Sequence, residues 1–302
     1  MFWKLPDIKL APDVIFHIGA FPVTNTLLGT WMVILILAAL FFFGTRRRDL
    51  IPSGLQNFME WIVEFLLGLV ENVTGKDEQG KRKAKTFFPL VATLFIFILL
   101  ANLIDVFPGV DTVGAINTAV LAQMHATNPY GPFLFGNISN AIIPWIRPAT
   151  TDLNLNFAMS LIVVITSQVV GFSTLGPAEH LSKYFNFRSL FKFNFGGFIE
   201  FFVGLLDIIS EIARVLSLAF RLFGNIFAGS VVLAVFAFLL PFLADVIFIP
   251  FELFVAFVQA LIFSLLTLIF LQLATIGHGP EPESEHEARA EFREKHAAAA
   301  AH

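Results

Sequence analysis

Arg221 stands in the run Ser217-Leu-Ala-Phe-Arg221-Leu-Phe-Gly224-Asn225-Ile-Phe-Ala-Gly229, an apolar stretch with no acidic residue within nine positions on either side. An arginine keeps its proton inside a protein, so burial leaves it charged. At the centre of a helix in lipid such a charge costs roughly 2.5–3.5 kcal/mol on insertion scales. It persists only where it faces a partner protein or a water-filled cavity. Arg221 is therefore the first candidate for chemistry, and that chemistry is the handling of a counter-charge at membrane depth.

Other polar residues keep step with it. Glu200, Asp207, Glu211, Arg214, Arg221 and Asn225 follow one another at steps of seven, four, three, seven and four, which hold one face of a helix. Glu211 and Asp207 lie within a turn or two of Arg214, so a structural ion-pair ladder and a proton-access path are both open for these three. Arg221 lies seven residues beyond Arg214, about 10 Å along a helix axis, too far for that ladder to neutralise. A second apolar stretch carries Glu252 and Gln259, again seven apart. A chain folded back near Pro241 sets Ser230 level with Glu252, and Arg221 to Asn225 level with Gln259. Glu200, Asp105 and Asp152 lie nearer helix ends, where each is either a channel vestibule group or a structural cap.

The elements that carry these residues are membrane helices. The 302-residue chain is 57% hydrophobic with only 14% charged residues and a mean hydropathy of +0.79. A soluble domain carries about 25% charge, so the composition is that of a polytopic membrane protein. Phenylalanine occurs 38 times, against four Trp and two Tyr, supplying apolar bulk without a polar handle. Cysteine is absent, which excludes disulfides, thiolate catalysis and Cys-ligated metals. His286-Glu287 lacks the second histidine of a zinc-protease motif, and no cofactor is expected. The N-terminus shows no basic region followed by a small-residue cleavage site, so no cleaved signal peptide is expected.

The spacing predicts an N-terminal leader over 1–22, a membrane domain over 23–276 and a solvated, acidic-to-alanine-rich tail over 277–302. Residues 23–44 are uncharged and end at Arg46-Arg47-Arg48, a first span with its cytoplasmic end marked by the triplet. From Pro52, apolar residues recur at three- and four-residue steps opposite Gln56, Asn57, Glu60, Glu64 and Glu71. That pattern predicts a helix lying in the interface, closed by Gly75; the alternative is an amphipathic core helix of a soluble insert. Residues 76–85 are expected to be a charged cytoplasmic loop, and 87–104 a second span. Residues 109–150 form a long outer segment with Arg147 its sole basic residue, and 153–175 return as a third span. Lys183, Arg188 and Lys192 mark another cytoplasmic connection. The segments 197–240 and 246–276 remain, about 65 and 45 Å as helices. Both exceed a hydrocarbon core of ~30 Å, so they predict a long, strongly tilted hairpin. The fold class is thus all-α, with about five crossings and one interfacial helix, N-terminus outside and C-terminus cytoplasmic.

The wording of the Arg221 stretch, S-L-x-x-R-L-F-G-N-I-x-A-G, closely resembles subunit a of the F-type ATP synthase. The resemblance extends to Asn102-Leu-Ile-Asp105-Val-Phe-Pro108, to Pro148-Ala-Thr-Thr-Asp152-Leu-Asn154, and to Val258-Gln259-Ala-Leu-Ile-Phe-Ser-Leu-Leu-Thr267. Together these cover most of residues 25–276 in the family's order. The resemblance implies a stator subunit of the F0 sector in the bacterial inner membrane, providing two half-channels for protons to a c-subunit ring. Its implied partners are that ring, the b-subunit peripheral stalk, the F1 head through the stalk, and membrane lipid; nucleic acid is not among them. It implies that Arg221 is the essential arginine facing the ring carboxylate, with Asn225 a turn beyond, and that Asp207, Arg214 and Gln259 are half-channel positions. The sequence departs from a common pattern in which Ala-Gly is followed by an acid paired with a histidine on the next helix. Here Ser230 takes the acid's place and Glu252 the histidine's, so the acid has moved to the facing helix.

The expected chain is non-catalytic by itself. An autonomous channel or secondary transporter is the alternative, but it needs a complete pathway in one chain, and only one hairpin is polar; no inverted repeat is apparent either. An intramembrane hydrolase would need a thiol, a G-x-S-x-G or a two-histidine motif, none of which is present.

Overall fold

The computed structural model describes residues 11–46, 54–106, 114–116, 142–176, 195–239 and 243–276. Within them the chain is a mostly helical membrane protein. The helices are α1 (Asn25–Thr45), α2 (Leu55–Thr74), α3 (Glu78–Val106), α4 (Leu153–Leu175), α5 (Phe195–Leu239) and α6 (Leu243–Ala274). All except α2 are long and apolar enough to cross a membrane. Two short antiparallel strand pairs accompany them: β1 (Val14–Ile18) with β2 (Phe21–Thr24), a hairpin, and β3 (Gly114–Ile116) with β4 (Ile142–Pro144).

Local chemistry places the helix ends. Thr24 caps α1, its hydroxyl accepting from Leu27 N at 3.3 Å. Asp152 caps α4, with Oδ1 accepting from Asn154 N at 2.9 Å. Its Oδ2 accepts from the Thr26 hydroxyl at 3.0 Å, which ties the start of α4 to the start of α1. Of the two readings of Asp152, the cap is the one its contacts match. Gly75 closes α2 at φ +100°, a backbone region that L side chains rarely adopt.

Several expectations are corrected. The charged stretch 76–85 is not a loop, because α3 already begins at Glu78; its Lys, Glu, Gln and Arg residues are good helix formers and can extend the span into water. The leader region contains the β1–β2 hairpin, whose strands of five and four residues on either side of Gly19-Ala20 were too short to read. The helix α6 begins at Leu243, three residues before the expected Val246, and contains Pro250. The tail after Ile276, the connection through Lys183, Arg188 and Lys192, and the turn at Pro241 lie outside the described residues.

The core forms where α3 packs against α6, flanked by α4 and α5. Phe95 and Ile98 of α3, Met159 and Val163 of α4, Leu218 and Leu222 of α5, and Ala260 and Phe263 of α6 are all buried together. The helix α2 lays Leu66 and Val70 against this core and against α3, while Phe58, Trp61 and Phe65 stay exposed in a stacked row. At about 1.5 Å per residue, the 45 residues of α5 extend ~68 Å and the 32 of α6 ~48 Å, lengths that an upright span of ~30 Å cannot hold.

Candidate functional site

The long helices α5 and α6 pair along their length in antiparallel order. Phe236 meets Phe248 with ring centroids 4.6 Å apart. Gly229 meets Glu252, Asn225 meets Gln259, and Arg214 meets Phe270. This is the register expected from a fold-back near Pro241. The polar stripe of α5 runs along one edge of the face that buries Leu218, Leu222 and Ile226, because steps of three, four and seven return to nearly the same side of a helix.

Beyond Arg221 toward the C-terminal end of α5 lies a cavity of about 240 Å³ between α5, α6 and the end of α3. Asn102, Asn225, Gly229 and Glu252 line it among mostly apolar neighbours. Gly229 permits a close approach: a Cβ there would stand 2.9 Å from Glu252 Oε1. Glu252 Oε2 is shielded from solvent. Ser230, expected level with Glu252, turns its hydroxyl to the carbonyl of Phe227 at 2.9 Å. At the inner limit of the cavity, the Asn225 amide donates to Gln259 Oε1 at 2.6 Å. Gln259 is 2% exposed, and its Nε2 has no hydrogen-bond partner among the described residues.

On the other side of Arg221 the polar groups are arranged differently. Arg214 Nη1 donates to both oxygens of Glu211, at 3.0 and 3.1 Å, and its guanidinium lies over the Phe270 ring, 4.3 Å from the centroid. Asp207, half-buried a turn away, does not join this pair. The expected ladder therefore has one rung. Between the two polar zones stands Arg221, half-buried, with neither an ion pair nor a hydrogen bond among the described residues. Glu200 lies on the first turns of α5, and its side chain, like that of Asp105, is outside the described residues.

One group escaped the expected set of site residues. Asn102, 1% exposed, accepts from the Thr150 hydroxyl at 2.8 Å, and Asn156 donates to the Thr150 carbonyl at 2.8 Å. Asn102 Nδ2 is buried in the wall of the cavity without a partner among the described residues. An unpaired buried donor beside a polar cavity suits ordered water. The signal for it was an asparagine inside an apolar span, where a polar side chain needs a partner. The described residues contain no group of three or more His, Cys, Asp or Glu able to hold a metal ion. The arrangement is suited to passing protons between waters and carboxylates, with a fixed positive charge between two polar zones.

Comparison with known proteins points the same way. A family model described as ATP synthase A chain matches residues 27–272. The ATP synthase subunit a of Moorella thermoacetica is 29% identical over 267 residues, covering 88% of this chain and 98% of that protein. That of Geotalea uraniireducens is 32% identical over 246 residues, covering 80% and 84%. The subunit a 2 of Syntrophotalea carbinolica is 30% identical over 245 residues, covering 80% and 82%.

Proposed function

The chain belongs to the ATP synthase A chain family, and from that premise we propose that it provides two offset half-channels to a ring of c subunits, with Arg221 as the separator between them. Membership makes it a proton-translocating component of the F0 sector. The observation that carries the finer reading is the order along α5: the Glu211–Arg214 pair, then Arg221 without a counter-ion among the described residues, then the cavity holding Glu252.

In this reading a proton arrives from outside through the cavity lined by Asn102, Asn225 and Glu252. It neutralises a ring carboxylate, travels nearly a full turn with the ring through lipid, and leaves through the zone of Asp207, Glu211 and Arg214. Arg221 favours the ionised form of each carboxylate as it passes, because opposite charges attract far more strongly at low dielectric than in water. The same fixed charge repels a proton moving directly between half-channels. No covalent bond forms on this chain, so ATP chemistry belongs to the F1 head, held in register by the b-subunit stalk.

The test is Arg221→Ala in the assembled complex. ATP-driven proton uptake by inverted vesicles and ATP synthesis should both be lost, while passive proton leak is retained or increased. Synthesis at near wild-type rate in a correctly assembled Arg221→Ala complex would overturn the proposal.

A further inference from the structure

A second concavity lies far from the polar stripe, at the N-terminal end of α1. It measures about 540 Å³, within the ~300–1,000 Å³ range of small-ligand sites, and its walls are apolar throughout. The β1–β2 hairpin contributes Phe16, α1 contributes Leu28, Trp31 and Leu35, and the segment after β4 contributes Trp145 and Ile146. Trp31, Leu35 and Trp145 are 45%, 70% and 50% exposed, so the groove opens sideways from the span.

Its depth matches one leaflet. Leu28 and Leu35 lie three and ten residues into α1, or about 5 and 15 Å below its N-terminus, against a hydrocarbon core of ~30 Å. Its mouth is polar. Arg147 follows Ile146 directly; its backbone N–H reaches Asn25 O at 3.5 Å, and its Nη1 donates to Ala11 O at 3.2 Å. This puts a guanidinium at the level where α1 enters the membrane. A guanidinium matches a phosphate in charge and in the spacing of its donors. Tryptophans with an apolar body and one N–H favour that same boundary.

We propose that this groove seats one acyl chain of a phospholipid from the leaflet at the N-terminal end of α1, with Arg147 at the headgroup phosphate. The lipid would brace the hairpin and the 145–149 segment against α1, a helix whose own packing is sparse: only five of its 21 residues are buried. The inference needs only that α1 spans the membrane, and it is independent of the half-channel reading.

The experiment uses the full chain in its native complex, reconstituted into vesicles of palmitoyl-oleoyl phosphatidylglycerol doped with the same lipid bearing a photoreactive diazirine on one acyl chain. Adducts are mapped by mass spectrometry. Residues 15–16, 28–35 and 145–146 should be labelled several-fold more than residues 41–43, which are exposed at the other end of α1 and lie outside the groove. Leu35→Trp, a change at an exposed position that fills the groove, should remove the excess while the complex still assembles. Arg147→Gln should lower it about fivefold, the ratio equivalent to ~1 kcal/mol for one basic residue near an anionic headgroup. Equal labelling of the two regions, an excess that survives Leu35→Trp, or crosslinks from these segments to another subunit in place of lipid would overturn the proposal.

Discussion

The side-chain amide of Asn225 on α5 donates to that of Gln259 on α6 at 2.6 Å, one helical turn from Arg221 and at the limit of the cavity that contains Glu252. This bond crosses between the two long helices where the proposed half-channel ends. Gln259 is nearly inaccessible, so loss of its partner leaves an unsatisfied amide oxygen in a low-dielectric interior. Asn225→Ala should therefore cost about 1–3 kcal/mol. Combined with Gln259→Leu, which removes the stranded group, the two effects should be non-additive by roughly 0.5–3 kcal/mol. Thermal unfolding of the solubilised complex measures the cycle, and additive losses would show the bond to be incidental.

Arg221→Lys keeps the charge but replaces a delocalised planar fork with a compact ammonium that can lose its proton when buried. Partial, not full, recovery of proton pumping relative to Arg221→Ala is expected. Wild-type pumping by the lysine variant would mean that a point charge alone suffices at this position.

Glu252 and Gly229 offer a paired test. Glu252→Gln removes the group able to exchange a proton in the cavity, and should slow ATP-driven pumping with assembly intact. Gly229→Ala should do so more mildly, since its Cβ would fall 2.9 Å from Glu252 Oε1 and the flexible carboxylate end must swing away. Ser230→Glu in the Glu252→Gln background should restore part of the rate, because the acid then returns on the facing helix. Unchanged pumping in Glu252→Gln would reduce this carboxylate to a structural group.

By the positive-inside rule, the basic residues of 46–48 and 76–85 lead us to expect the ends of α1 and α3 near them in the cytoplasm. The chain has no cysteine of its own, so single cysteines report cleanly. Phe21→Cys, on the β1–β2 hairpin, should react with an impermeant maleimide in intact cells. Glu78→Cys should react only in inverted vesicles. The reverse pattern would invert the topology.

Much of this protein is written in one-dimensional patterns. The span α4 runs from Leu153 to Leu175, the limits its apolar run dictates, because lipid demands that every backbone group be bonded within the helix. The polar edge of α5 follows from steps of three, four and seven alone, and the unusual lengths of α5 and α6 follow from long predominantly apolar stretches. Short hairpins such as β1–β2 leave too brief an alternation to be distinguished from loop, and the helical character of 78–85 was hidden by charge that water tolerates on either state.

What the helices do to one another was settled only in three dimensions. Periodicity places Asp207, Glu211 and Arg214 on one face, yet only the last two pair, since rotamers and the Phe270 ring decide which carboxylate the guanidinium meets. Asn102, Thr150 and Asn156 are separated by up to 54 positions in the chain and join only because the turn Ala149–Thr151, just ahead of α4, packs on α3. Gly229 lets the Glu252 carboxylate come close to α5, where a Cβ would stand 2.9 Å from its Oε1. Sequence spacing carries the face of each helix; the contact between two faces depends on packing volume and hydrogen-bond geometry that no single helix contains.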